Sequence, residues 1–299
     1  MGSTSSKTPL IFIVGETASG KTAVGIKIAQ LVDGEIICAD SRTVYKKMDI
    51  GTAKPTLSEQ KLVPHHLIDI VEPNEKFSAA EFKRQAEKCI QDIGGRGKIP
   101  IIVGGTGLYV DALLYNFQFK DRPDETYRTQ LLQMNDEELT TLLHTKNIDT
   151  SKLNTKNRRH VIRAIERDGE VPENTKMRSN AIILGLKLDR EVLKTRIEKR
   201  IEEMFQRGFL DEVTKLYEYY GSELEAFKTP GYNAARKAME GEISVQEAKI
   251  AFMHADLGLA KRQRTWFKRN KDISWFDNPE ELAQEAVRFV ANSSPTTTH

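Results

Sequence analysis

An α/β fold with a parallel sheet flanked by helices is predicted by three observations. Strand-like and helix-like patterns alternate through the first 115 residues, the first strand runs through a glycine-rich loop into a helix, and the short apolar runs end at small or acidic residues. Leu10-Ile11-Phe12-Ile13-Val14 is the first strand, Gly15-Glu16-Thr17-Ala18-Ser19-Gly20-Lys21-Thr22 is a complete G-x-x-x-x-G-K-[ST] loop, and Thr22 to Leu31 is an amphipathic helix. Glu35 to Ala39 forms a second strand ending at Asp40, followed by a polar segment to Pro55 and a strand over His66-Leu67-Ile68-Asp69-Ile70. Ser78-Ala79-Ala80-Glu81 is a capping box that opens a helix to about Ile93, stopped by Gly94-Gly95. Pro100 to Val103 is a buried strand delivering Gly104-Gly105-Thr106-Gly107. In such sheets ligands gather beyond the carboxyl ends of the strands, so Gly15–Thr22, Asp40 and Gly104–Thr106 are expected on one edge.

Beyond Asn116 the pattern changes. Residues 120–150 are polar and helix-prone, entered through Asp121-Arg122-Pro123-Asp124, and predict a small helical insertion. The sheet resumes with Ala181 to Leu186, and helices follow over Arg190–Phe205, Phe209–Tyr220, Val245–Arg269 and Glu280–Ala291. The expected organisation is therefore a phosphate-loop NTPase-like core over residues 7–119 and 151–292, interrupted by the insertion.

Composition excludes several classes. With 299 residues, 39% hydrophobic and 29% charged, the chain buries a substantial core. No apolar stretch approaches the roughly 18 residues needed to span a bilayer, and no secretory layout is recognisable at the N-terminus, so a cytoplasmic location is expected; a monomer is the working expectation for the oligomeric state. Cys38 and Cys89 stand in no C-x-x-C spacing, which argues against disulfides and structural zinc. The net charge is only +2, yet two segments are strongly basic. Residues 151–167 carry Lys152, Lys156, Arg158, Arg159, Arg163 and Arg167 against Glu166, and residues 254–271 carry Lys261, Arg262, Arg264, Lys268, Arg269 and Lys271 against Asp256. Each is either a solvated helix face or a surface for a polyanion, and their coexistence with a phosphate loop favours the polyanion.

The loop itself binds a di- or triphosphate. Its backbone N–H groups and the helix N-terminus favour an anion, Lys21 adds a mobile charge, and the Thr22 hydroxyl can reach a phosphate-bound Mg²⁺. A kinase or ATPase with this loop needs an acid at the end of a neighbouring strand, whereas Val103 leads into Gly104-Gly105-Thr106.

Taken together, the phosphate loop, Asp40 through Pro55 with its Asp49-Ile50-Gly51-Thr52-Ala53-Lys54-Pro55 string, His65-His66-Leu67-Ile68-Asp69, Gly104 through Tyr109 and Ala260 through Lys268 resemble the tRNA dimethylallyltransferase family. The resemblance implies transfer of a dimethylallyl group from its diphosphate to N6 of the adenosine next to the anticodon, with Mg²⁺ and with the phosphate loop holding the prenyl diphosphate. It implies that Asp40, Thr106 and Arg200 serve the reaction, that Asp40, Ser41, Arg42 and Thr43 contact the target nucleotide, and that Thr106, Arg128, Arg159, Arg163, Lys261, Arg262, Arg264, Trp266 and Lys268 contact the tRNA anticodon stem-loop. An isopentenyltransferase acting on free adenine nucleotides shares the chemistry but needs no long RNA-binding surface.

The residues themselves support this chemistry. An exocyclic adenine amine is a poor nucleophile, so the reaction needs a base near N6 and stabilisation of the departing diphosphate. Asp40 is the candidate base; the alternatives are a ligand to a Mg²⁺-bound water and a cap for the segment opening at Ser41. Arg196 and Arg200 lie four apart on one helix face where both can address a phosphate, and Arg196 is equally explained as surface charge. Trp266 is either a stacking platform for a base or a core residue. Two departures from the family pattern stand out: Glu16 replaces a Pro at a loop position expected to face solvent, and His160 replaces an Arg.

Overall fold

This computed structural model describes residues 8–119, 125–151, 153–169, 176–224, 227 and 229–293; Asp121 to Asp124 and Lys152, named for their charge and turn pattern, lie outside the described residues. The elements in chain order are β1 Leu10–Gly15, α1 Lys21–Leu31, β2 Gly34–Cys38, α2 Leu57–Leu62, β3 His65–His66, α3 Ala79–Gly95, β4 Ile99–Gly104, α4 Gly107–Leu114, α5 Glu125–Gln133, α6 Asp136–Thr145 and α7 Arg158–Glu166. They continue with β5 Ala181–Leu186, α8 Arg190–Gln206, α9 Phe209–Tyr220, α10 Pro230–Met239, α11 Val245–Phe267, β6 Ser274–Phe276 and α12 Pro279–Ser293.

The six strands form one parallel sheet in the order β3-β2-β4-β1-β5-β6. β1 lies inside it, with Ile13 paired to Val103 on one side and to Leu184 on the other. Its unbroken apolar run is what a strand covered on both faces requires, and all six residues are buried. On one face α1 and α12 pack onto the sheet through Val24, Ile28, Leu282 and Ala286, joined to Ile11, Ile13 and Ile101 in one apolar cluster. On the other side α3 and α4 meet, with the Phe82 and Tyr109 rings stacked at 4.3 Å. α8 to α11 build a second cluster around Ile197, Phe209, Tyr232 and Phe252. No helix among the described residues is long and apolar enough to cross a membrane.

The third strand is shorter than its pattern suggests. Instead of spanning His66 to Ile70 it covers His65–His66, because Leu67 and Asp69 adopt left-handed backbone angles of φ 62° and 54° that break the extended chain. The helical insertion is larger than expected. It is a compact unit running Tyr115–Lys176 rather than 120–150, since Val161, Ile162 and Ile165 of α7 join Leu131 of α5 and Leu139 and Leu143 of α6 in a core of their own. Residues 151–176, expected in the α/β core, therefore belong to this unit.

Candidate functional site

The loop after β1 is wound tightly into the start of α1. Ala18 and Gly20 take left-handed angles, φ 58° and 95°, which turn the chain into α1. A side chain on Gly15 would come within 2.7 Å of the Leu186 carbonyl and 2.9 Å of Ser19 Oγ, so the loop folds this tightly because that position is bare. Lys21 Nζ donates to the Glu16 carbonyl at 3.1 Å. Burial pushes the Lys21 amine down to about 8; Asp40 and Glu16 oppose the shift, and Arg200 adds to it. Thr22 is half-buried in the first turn of α1.

Asp40 stands just past β2, beside the turn after β4. The two strand ends approach closely because position 104 is glycine: a Cβ there would fall 2.0 Å from the Ala39 carbonyl oxygen. Thr106 N–H donates to that oxygen at 3.2 Å, and Ser41 N–H donates to Thr106 Oγ1 at 3.0 Å. Asp40 Oδ1 accepts from the Arg42 N–H at 2.8 Å, an Asx turn that fixes the carboxylate. The charge of Asp40 is felt nearby: it adds to the burial that pushes the Cys38 thiol up to about 12.

The opposite wall comes from α8 and α11. Arg200 Nη2 donates to Thr17 Oγ1 at 2.9 Å and also to Asp256 Oδ2. Burial raises the Asp256 pKa, Arg200 opposes that shift, and Asp40 adds to it. Arg196 Nη1 donates to the Ser19 carbonyl at 3.1 Å, so the first arginine of the pair grips the loop backbone. Gln263 bridges two loops, accepting from Thr17 N–H at 2.7 Å and donating to the Gly105 carbonyl at 3.1 Å. Trp266 donates its indole N–H to Asp111 at 2.8 Å and lies against Gly107, with the Arg269 guanidinium 4.5 Å from its ring centroid.

Between these walls runs a channel of about 400 Å³ lined by Thr17, Asp40, Thr106, Arg200, Asp256 and Trp266 among others. Its far side, Gly51 to Ala53, is held by a carboxylate: Glu212 accepts from the Asp49, Ile50 and Gly51 N–H groups at 2.8, 2.7 and 3.0 Å and from the Tyr232 hydroxyl at 2.7 Å. Met204, Tyr232, Phe252 and Leu259 give this part of the channel an apolar lining. A separate groove of about 1010 Å³ between α8 and α11 is lined by Arg190, Lys194, Lys261, Arg264, Lys268 and Arg269 around Leu193, Met253 and Leu257.

The residues expected at the site divide accordingly. Asp40, Ser41, Arg42, Thr106, Arg200, Arg262 and Trp266 line the channel with Thr17. Trp266 is neither core nor free platform, being half-buried with its N–H fastened. Thr43 is buried, 6% exposed, and does not line the channel; its carbonyl accepts from the Asp69 N–H in a segment paired with residues 69–71. Lys261, Arg264 and Lys268 face the groove instead, which splits the second basic segment over two faces of α11. Arg128, Arg159 and Arg163 belong to the helical unit, where Arg128 pairs with Glu166 at 3.0 Å and Arg159 and His160 are exposed. Glu16 does not face solvent: it is 5% exposed and held by Arg264. The sequence gives no chemical signal for Gln263, Asp111 or Glu212, although Asp256 is visible there as the lone acid in a basic run.

The family model described as IPP transferase matches residues 43–270. A tRNA dimethylallyltransferase of Geobacillus thermodenitrificans is 39% identical over 94% of this chain and 96% of its own length. One from Streptococcus pyogenes is 41% identical over 90% of this chain and 91% of its own. Among solved structures, a tRNA isopentenylpyrophosphate transferase from Bacillus halodurans superposes with a TM-score of 0.73 at 36% identity, covering 96% of this chain and 97% of the other. A eukaryotic dimethylallyltransferase acting on tRNA gives 0.79 at 25% identity, covering 97% of this chain and 81% of the other.

Proposed function

This chain belongs to the IPP transferase family, and from that membership together with the channel we propose that it is a prenyltransferase moving a dimethylallyl group from dimethylallyl diphosphate to N6 of the adenosine next to the anticodon of tRNA. The observation that carries the reading is the meeting of Asp40 with the phosphate loop's Thr17 and with Arg200 in one channel. A loop adenosine is cheaper to unstack than a paired one, and the target base enters the channel beside Asp40. Asp40 accepts the N6 proton as the amine attacks the prenyl carbon, and the bond from that carbon to the diphosphate oxygen breaks.

The leaving diphosphate is held by the loop N–H groups, Lys21 and Arg200, which stabilise the charge it gains, while Arg196 braces the loop through the Ser19 carbonyl. Ser19 Oγ and Arg200 Nε are buried without a partner among the described residues, polar atoms suited to an anion of this kind. No group of three or more His, Cys, Asp or Glu side chains among the described residues is spaced to hold a metal ion. The residues fit a Mg²⁺ carried with the diphosphate and reached by the Thr22 hydroxyl; bound there, the ion would neutralise leaving-group charge. The apolar stretch by Met204 and Phe252 suits the prenyl tail. Lys261 and Lys268 in the groove, with Arg159 and Arg163 of the helical unit, suit the tRNA backbone.

The decisive experiment incubates the protein with labelled dimethylallyl diphosphate and either unmodified tRNA or AMP. Label in tRNA alone is expected. Label in AMP alone would make the chain a free-nucleotide prenyltransferase, and label in neither would defeat the reading.

A further inference from the structure

The phosphate loop carries an acid in a place otherwise built for anions. Glu16 is 5% exposed, and its backbone carbonyl accepts from the Lys21 ammonium, the charge meant for phosphate. A buried carboxylate without a counter-charge would repel a diphosphate bound in the same loop, because little water lies between to screen it. Arg264 meets it with a fork: Nε donates to Oε1 and Nη2 to Oε2 at 2.9 Å. The adjacent residues repeat the tie, since the Thr17 N–H donates to Gln263 Oε1 at 2.7 Å. α11 thus holds the loop at two successive positions through two successive side chains.

Charge alone would assign Arg264 elsewhere. It lines the groove with Lys261 and Lys268, and its side chain is 47% exposed, as expected of a residue that meets an RNA backbone. The two-pronged geometry distinguishes it from those lysines. We propose that Arg264 is a positioning residue of the donor site, which keeps the loop receptive to diphosphate by neutralising Glu16 and fixing the loop to α11. The inference rests on the reading of the loop as the diphosphate site, and it assigns Arg264 to the donor rather than to tRNA.

Calorimetric titration with inorganic diphosphate and Mg²⁺ tests this without prenyl transfer. Arg264→Ala is expected to bind diphosphate about tenfold or more weakly than wild type, since it leaves a buried charge unpaired. Adding Glu16→Gln to that variant should return the affinity to within about threefold of wild type, because the repelling charge is gone. In turnover, Arg264→Ala should raise the donor KM while kcat and the salt slope of tRNA binding hold. Arg264→Lys, which keeps the charge without the fork, is read in the same cycle if the alanine variant does not stay folded, with a loss of about threefold or more that Glu16→Gln again reverses. Unchanged diphosphate affinity, failure of Glu16→Gln to restore it, or a flatter tRNA salt slope would overturn the proposal. A wild-type protein that binds no diphosphate would instead overturn the donor-site reading itself.

Discussion

α11 presents two faces of unlike chemistry, and they are organised in opposite ways. Toward the channel, Asp256, Gln263 and Trp266 are each fastened to a partner, respectively Arg200, Thr17 with Gly105, and Asp111. Toward the groove, Lys261 and Lys268 are exposed on a face shared with Arg190 and Lys194 of α8. Groups that must meet a developing charge work best when already oriented, because no reorganisation is then needed at the moment of reaction. Groups that hold a polyanion by releasing its counterions need only sign and proximity. The contrast teaches that this helix is not one functional unit: its 3.6-residue turn sets fastened side chains toward the channel and exposed lysines toward the groove, interrupted where Arg264 ties back to Glu16.

The sharpest way to break the contrast is at the channel. Asp40→Ala should slow single-turnover transfer by roughly 10²–10⁴ while tRNA affinity stays within a few fold, the signature of a missing general base. A rate equal to wild type would leave the channel without its base. A smaller effect is expected one step back: Asp256→Asn removes the charge that orients Arg200, and the donor KM should rise by about tenfold with tRNA binding intact. If tRNA binding fell instead, the two faces would not be functionally separate.

The groove should respond more gently. Lys261→Ala with Lys268→Ala is expected to weaken tRNA binding several-fold at moderate salt and to reduce the log–log salt slope by about 0.7–0.9 for each phosphate no longer neutralised, with diphosphate affinity unchanged. Identical salt slopes in a folded variant, by circular dichroism, would return these lysines to the status of solvated surface. The smallest effect is a pH trend from Lys21, whose amine is held near 8 by burial. Below that value the folded protein carries the charged form and above it the neutral one, so diphosphate affinity should fall as pH rises through about 8, and Lys21→Met should abolish the trend. Bound diphosphate favours the ammonium form and would move the midpoint upward, which calorimetry in buffers of different ionisation heat would register as proton uptake.

Much of the channel was legible because its parts are local. The phosphate loop, the strand ending at Asp40 and the turn at Gly104 to Thr106 are each written in consecutive residues, and parallel pairing carries all three to the same edge. What was hidden depends on partners far apart in the chain. Nothing near Glu16 announces Arg264, and nothing near Gly51 announces that Glu212 cradles three of its segment's N–H groups. The boundary of the helical unit is hidden for a related reason: the apolar residues Val161, Ile162 and Ile165 that pack α7 onto its own core are interleaved with Arg158, Arg159 and Arg163. α10 and β6 lie outside the elements the sequence pattern outlines; α10 opens with Pro230 in its first turn, where the missing N–H costs no helical hydrogen bond.

The long reach of the phosphate loop has a consequence for how the protein comes into being. Its ties to α11 span 246 residues from Thr17 to Gln263 and 248 from Glu16 to Arg264, and β1 also waits for β5. During synthesis the motif therefore leaves the ribosome well before the residues that clamp it. Pairings of such high sequence separation form late, after the intervening loop has been closed. A nascent or truncated chain ending before α11 therefore displays the phosphate-loop sequence without the side chains that neutralise and seat it, so the proposed donor site is complete only once α11 has been made.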